Sequence, residues 1–283
     1  TLPLDVADAA AVEEAAERVA RSFGGIDVWV SNAMVTVMSP VTAMSPEEFR
    51  RVTEVTYLGQ VHGTMAALRQ MRQRDQGVIV AVGSALSYRA IPLQSAYCAA
   101  KFAVRGFMDS LRVELLHDRS RIRLTMVQLP AVNTPQFEWA RNRMGERAQP
   151  VPPIHQPEAV GEAIFAAAVQ PKREVWLGWP TLKAILGGMA VPGLADRILA
   201  RQGYSGQLTG EALPAGRQDN LFRPVPGPHR TRGRFSSRAS SRVHAIEPAL
   251  LRAVIGGAVL ALPALAWMAG RRSGARSRPR LGG

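Results

Sequence analysis

The chain has 283 residues, enough for one large domain or two small ones, and its apolar share of 47% is that of an ordinary globular protein. Its single cysteine, Cys98, excludes an internal disulfide framework and suits a reducing compartment. The formal charge of +13 is unevenly spread: residues 1–180 hold 19 Arg and Lys against 18 Asp and Glu, whereas residues 181–283 hold 16 against 4. That division excludes a basic nucleic-acid face on the main part and leaves a basic tail.

The sequence opens on Thr1 rather than Met, inside what reads as the end of a strand at residues 2–4, so the true start is expected upstream. Residues 9–23 place Val12, Ala15, Ala16 and Val19 on one helical face and Glu13, Glu14, Glu17 and Arg18 on the other. Gly24 and Gly25 stop that helix. Residues 26–30 form a short apolar run, a buried-strand pattern. Ser45, Pro46, Glu47 and Glu48 read as a helix start, with a serine cap, proline at the first helical position and acids in the first turn. That helix is expected to run to about residue 72.

Residues 77–82 and 122–129 are further strand-like runs, separated by a helical pattern over 95–116. A helix over 157–169 opens on Pro157 and Glu158, and 174–177 is a last short strand. Strands separated by helices of this length imply βαβ units and a parallel sheet. No internal repeat is visible. Residues 213–248 are rich in Pro, Gly, Ser and Arg and read as a disordered linker. Residues 253–270 are then uncharged, between Arg252 and the pair Arg271 and Arg272. As a helix this stretch would be about 27 Å long, just short of a hydrocarbon core. Three parts follow: residues 1–203, a basic linker over 204–248, and a hydrophobic segment with an Arg-rich end over 249–283.

Tyr97 and Lys101 lie four residues apart in a helical pattern, so they share one face. An ammonium beside a phenol favours the phenolate and lowers its pKa. A tyrosine tuned in this way can exchange a proton with a carbonyl or alcohol oxygen. Ser84 ends a strand-like run, where its hydroxyl can bond the same oxygen. This set suits carbonyl reduction or alcohol oxidation, and the hydride itself needs a cofactor.

The segments Asp27-Val28-Trp29-Val30-Ser31-Asn32-Ala33, Gly77-Val78-Ile79-Val80-Ala81-Val82-Gly83-Ser84 and Tyr97-Cys98-Ala99-Ala100-Lys101 follow in order. With Pro130-Ala131-Val132-Asn133-Thr134, they resemble successive signatures of the short-chain dehydrogenase/reductase family over about residues 1–180. The resemblance implies that Tyr97 is the general acid/base. It implies that Lys101 tunes Tyr97 and binds the nicotinamide ribose, and that Ser84 orients the substrate oxygen. Asp5 and Val6 match the element beside the adenine ring, Asn32 and Ala33 the cofactor floor, and Pro130, Val132 and Thr134 the nicotinamide end. The implied cofactor is NAD or NADP. No metal is implied.

Three positions depart from the family pattern. Met34 replaces a glycine after Asn32 and Ala33. Thr56 stands where the family carries an asparagine that supports a water relay to the lysine, so the relay is expected to be weakened or rerouted. The Gly-rich turn Thr-Gly-x-x-x-Gly-x-Gly, which holds the cofactor pyrophosphate, is not found in these 283 residues. The chain as written is therefore expected to bind dinucleotide weakly or not at all.

The expected fold class is α/β, a doubly wound parallel sheet of Rossmann-like type lacking its first βαβ elements. A disordered linker and a C-terminal hydrophobic helix are expected to follow it. The expected function is an oxidoreductase that moves hydride between NAD or NADP and a carbonyl or hydroxyl group of an apolar substrate. The alternative is a non-catalytic, membrane-tethered binding or scaffold protein on a degraded version of the same fold. The segment 137–147 is expected to be a mobile lid, whose Phe137, Trp139 and Met144 either line an apolar pocket or pack the lid down. The 253–270 segment is expected to associate with a membrane, where Trp267 suits the interface and Pro263 interrupts a helix; the other reading is a helix packed on the enzyme or a partner. A cytoplasmic location at the membrane's cytoplasmic face and a homo-oligomer complete the expectation, with no nucleic-acid partner because the tail lacks interleaved aromatics.

Overall fold

The computed structural model describes residues 1–227, 229–249, 251 and 253. Contacts divide the chain into a compact unit, Thr1–Ile246, and a second unit, Glu247–Gly283. The first unit is built on a five-stranded sheet. Its strands in sheet order are β1 (Val28–Ser31), β2 (Val78–Ser84), β3 (Arg123–Leu129), β4 (Glu174–Leu177) and β5 (Ala245–Ile246). The first four run parallel, and β5 closes the edge antiparallel to β4. Consecutive strands are neighbours, so each parallel pair needs a crossover through a helix.

Helices cover both faces of the sheet. On one face, α1 (Ala9–Phe23), α3 (Gly59–Arg72) and α4 (Ser95–His117) bury Val12, Ala67, Met71, Met108 and Leu111 against Ile79, Leu124 and Met126. On the other face, α5 (Pro157–Val169) packs Val160 and Ala167 onto Val80, Val127 and Val175. The alternation of Ile79 and Val80, and of Met126 and Val127, sends successive side chains to opposite cores. Strands buried on both faces read as continuous apolar runs, which β2 and β3 are.

The local signals work as their chemistry requires. Asp8 caps α1, its carboxylate accepting from the Ala11 N–H at 3.1 Å, and Gly24 ends the helix at φ +78°. Ser45 and Glu48 form a reciprocal capping box at the start of α2 (Pro46–Thr53). The run from α2 to α3 is continuous through a π-turn at Glu54–Leu58.

The structure differs from the sequence reading in four places. Residues 2–4 form no strand, because no strand hydrogen-bonds to them. The run at 26–30, read as a buried strand, becomes the sheet's edge strand with Val28 and Val30 exposed, and two helices that the sequence reading did not name, α6 (Gly178–Ala190) and α7 (Pro192–Gln202), follow β4 directly. Most important, the supposed disordered linker is packed on the unit. Leu221 is fully buried among Val35, Val37, Val52, Val55 and Ala96. Phe235 is buried too, with its N–H donating to the Asn133 side chain at 3.0 Å. Ala239–Ser240 pairs with Ile154–His155, and β5 joins the main sheet. Sparse apolar anchors and long-range backbone pairing order a segment whose composition resembles a linker.

The 253–270 stretch, apart from Ala253, lies outside the described residues, and so does the hydrophobic C-terminal helix expected there. Among the described residues no helix is long and apolar enough to cross a membrane.

Leu221→Ala is expected to lower the unfolding free energy by about 2–5 kcal/mol, as for a buried leucine in a core. Urea denaturation checks this. An unchanged midpoint would mean that the segment is the loose linker its composition suggests.

Candidate active site

Strands β1, β2 and β3 run parallel, so their C-terminal ends meet at one edge of the sheet. That edge is where open α/β sheets bind ligands. Asn32 and Ala33 follow β1, Ser84 ends β2, and Pro130 follows β3. The helix α4 begins just beyond Ser84's loop and brings Tyr97 and Lys101 to the same edge.

Ser84, Tyr97 and Lys101 come together. The phenol of Tyr97 lies beside the hydroxyl of Ser84, close enough for that hydroxyl to favour the phenolate. Ser84 Oγ also accepts from the Leu86 N–H at 3.1 Å, which fixes its direction. Lys101 is buried, 1% exposed, and its Nζ donates to the carbonyl of Val82 at 2.7 Å. That Nζ lies 5.6 Å from the centroid of the Tyr97 ring.

The electrostatics differ from the expectation of a phenol lowered by its neighbouring ammonium. Burial pushes the Tyr97 phenol well above its ordinary range, and the Ser84 hydroxyl opposes this only in part. Burial likewise pulls the Lys101 ammonium down to about 7. Both charged forms lose hydration together, and that loss outweighs their mutual influence in this apolar setting.

The ground under Ser84 was not legible from motifs. Its N–H donates to Gln128 Oε1 at 2.8 Å, and Gln128 Nε2 donates to Glu174 at 2.9 Å. The Tyr88 hydroxyl donates to the same carboxylate at 2.7 Å. Gln128 and Glu174 are buried polar groups in otherwise apolar strands. Buried polar residues of that kind, interrupting an apolar run, were the available signal.

Thr56 sits in the π-turn, fully buried. Its hydroxyl accepts from the Val35 N–H at 3.1 Å and donates to the Val35 carbonyl at 2.8 Å. Both capacities are spent on the loop after β1 rather than on Lys101.

The remaining named positions divide into groups. Val6, Ser31, Asn32 and Ala33 line one cleft of about 190 Å³ with Leu4, Gly59 and Gln60. Gly59 is needed there because a Cβ would come 2.5 Å from Val6 Cγ2. Met34, the residue in the family's glycine position, is half-buried beside this loop. Asp5 is exposed. Partial burial pushes its carboxyl up, but the Ala7 N–H and the Arg51 guanidinium outweigh that and hold it below the ordinary range. Asp8, not Asp5, caps α1. Pro130, Val132 and Thr134 are half-buried on the segment after β3, which pairs with Ile154–His155. Next to them, Asn133 anchors Gln156, Phe235 and Ser236.

The expected lid is tied down. Glu48, 1% exposed, accepts from Arg143 at 2.7 Å and from Arg141 at 3.1 Å, and Arg141 also pairs with Asp219. Phe137 and Met144 pack with Met38, Leu93 and Ala148. These apolar residues therefore hold the segment onto the body.

Residues 1–144 match the family model for short chain dehydrogenases. The chain belongs to this family of oxidoreductases. An uncharacterized oxidoreductase of Bacillus subtilis is 30% identical over 273 residues, covering 95% of this chain and 75% of the relative. Dehydrogenase/reductase SDR family member 7B of Bos taurus is 32% identical over 206 residues, covering 71% of this chain and 62% of the relative. A short-chain dehydrogenase of Streptomyces avermitilis shares the fold, with a TM-score of 0.58 at 24% identity over 71% of this chain and 77% of its own. The alcohol dehydrogenase of Thermococcus sibiricus, solved with 5-hydroxy-NADP, gives 0.51 at 25% identity over 61% of this chain and 71% of its own.

A base whose folded pKa is depressed binds fewer protons than the unfolded chain between the two values. For Lys101 that window runs from about 7 to the ordinary 10.5, and stability rises with pH across it. Lys101→Met is expected to lose that rise. Urea denaturation of both proteins at a series of pH values checks this, and parallel stability curves would contradict it.

Proposed function

We propose that this chain reduces a carbonyl, or oxidises a hydroxyl, of an apolar small molecule by hydride exchange with NAD or NADP. The observation that carries the reading is the meeting of Ser84, Tyr97 and Lys101 at the C-terminal edge of the sheet, with the phenol beside the serine hydroxyl and the Lys101 amine 5.6 Å from the tyrosine ring. Membership of a family of oxidoreductases supports it. So does the likeness to an alcohol dehydrogenase solved with a nicotinamide dinucleotide.

The residues present fit one end of such a cofactor. The cleft that gathers Val6, Asn32 and Ala33 lies where the sheet ends, and Gly59 and Gly63 let Val6 and Trp29 pack closely along its wall. Asn32 and Ala33 would form its floor, and Pro130, Val132 and Thr134 would meet the nicotinamide. Asp5 would face the adenine while held by Arg51. When bound, the cofactor supplies or accepts the hydride.

The chain's own groups manage the proton and the oxygen. Tyr97, kept protonated by burial, donates its phenolic proton to the substrate oxygen as negative charge builds there. Ser84 donates a hydrogen bond to the same oxygen, and its direction is held by Leu86 and Gln128. Lys101, titrating near neutrality, gains or loses its proton at working pH and would hold the ribose hydroxyls. With the Thr56 hydroxyl committed to Val35, proton resupply behind Lys101 runs by a path other than the Thr56 side chain. The Tyr97 ring packs against the apolar cluster of Val35, Val37, Val52 and Val55, which favours apolar substrates.

The proposal extends to setting. It places the protein in the cytoplasm at a membrane surface, attached through residues 253–270, on the strength of their uncharged run between arginines. It also makes the protein a homo-oligomer, supported by Phe102, Val113 and Leu116 exposed along α4.

The test is oxidation of NADH and NADPH with a panel of ketones. Tyr97→Phe is expected to lower turnover by about 10²–10⁴-fold, the usual worth of a positioned general acid. Equal turnover in wild type and variant would contradict the reading.

A further inference from the structure

The helices α6 and α7 carry a surface that the catalytic reading does not use. Trp179 is 58% exposed, Met189 68%, Leu194 53% and Ile198 46%, and Val191 at the corner between the helices is exposed as well. Leu194 and Ile198 lie four apart on one face of α7, with Val191 at its N-cap a turn earlier, and Trp179 and Met189 are the exposed apolar residues at the two ends of α6. Scattered apolar residues are ordinary at a surface, but five large ones on two consecutive helices form a patch.

The opposite side of the pair faces the body. Thr181 and Ile185 are fully buried. Asp196 pairs with Arg89, which belongs to the loop between Ser84 and Tyr97 and also packs beside Gly188. The apolar side chains are therefore outward by construction.

Charge indicates what covers the patch. The segment holds Lys183, Arg197 and Arg201 against a single acid, Asp196, which is spent on Arg89. Lys183 lies one turn from Trp179, and Arg201 lies one turn from Ile198. Among the described residues, none of the three cations pairs with a carboxylate. Large apolar side chains, a tryptophan and cations on one face are the composition of a helix lying in a lipid headgroup region. At 13 and 11 residues, α6 and α7 are too short to span a bilayer.

We propose that the outward face of α6 and α7 docks in the headgroup region of an anionic lipid bilayer. Trp179, Met189, Leu194 and Ile198 enter the acyl boundary, and Lys183, Arg197 and Arg201 meet lipid phosphates. The inference rests on these residues alone. It depends neither on hydride transfer nor on residues 253–270.

The experiment is flotation of the full chain with vesicles of phosphatidylcholine alone and of equal parts phosphatidylcholine and phosphatidylglycerol. Wild type is expected to float with the anionic vesicles, and better at low salt. The variant Trp179→Ser/Leu194→Ser/Ile198→Ser, which leaves 253–270 intact, is expected to lose about tenfold in bound fraction. Lys183→Glu/Arg197→Glu/Arg201→Glu is expected to lose the preference for anionic vesicles, and it serves as the test should the first variant not fold. Wild type that never floats would overturn the proposal. So would a folded serine variant that floats as wild type does. A serine variant that falls from dimer to monomer in sedimentation while floating unchanged would assign the patch to a second copy of the chain and overturn it too.

Discussion

The amine of Lys101 sits inside the protein, 2.7 Å from the carbonyl oxygen of Val82. A buried amine of this kind is tolerated only where a partner meets it and its charge can be shed. The bond ties the first turns of α4 to the end of β2, two residues before Ser84. Tyr97, one turn earlier on the same helix, is thereby carried to the Ser84 hydroxyl. If that bond were lost, α4 would no longer set the distance between phenol and serine. The lowered pKa of Lys101 and the raised pKa of Tyr97 follow from the same burial.

Around this pin, other polar groups fix the neighbouring loops from beneath. Gln128 and Glu174 carry the Ser84 backbone, with Tyr88 completing the carboxylate's contacts and its ring edge-on to Trp176. Thr56 closes the loop after β1 by serving both polar groups of Val35. Glu48 caps α2 and clamps Arg141 and Arg143 of the covering segment. Gln128, Glu174, Thr56 and Glu48 are buried polar side chains met by backbone, by neutral side-chain donors or by an opposite charge, the condition under which such groups rigidify a core. The site is a set of strand ends and one helix, each held by a different buried polar contact.

Much of this was legible in the sequence. The helix at 157–169 and the strand at 174–177 have the bounds that periodicity and Pro157 indicate. The spacing of Tyr97 and Lys101 puts them on one face of a helix and the apolar run ends on Ser84, and the structure has both features. Local patterns report local structure, and these features are local. What escaped depends on distant partners. Residues 213–246 look like a linker because Leu221 and Phe235 are their few anchors, and the groups they meet, Val52, Ala96 and Asn133, lie over a hundred residues away in the chain. The direction of the Tyr97 shift escaped for a similar reason: spacing shows that an ammonium is near, but depth of burial is a property of the packed whole. Thr56 read as a departure at the relay position, and the partner of its hydroxyl, Val35, lies on a loop that no local pattern connects to it.

The central claim is that this buried set moves hydride to or from an oxygen-bearing carbon, with Tyr97 handling the proton. The direct measurement is the fate of a label. A ketone is reduced with NADH or NADPH carrying deuterium at the transferable position, and the alcohol is examined by mass spectrometry. The account predicts deuterium on the carbinol carbon of the product with the wild-type chain. Product without the label, or no product with either cofactor across the ketones tried, would contradict it.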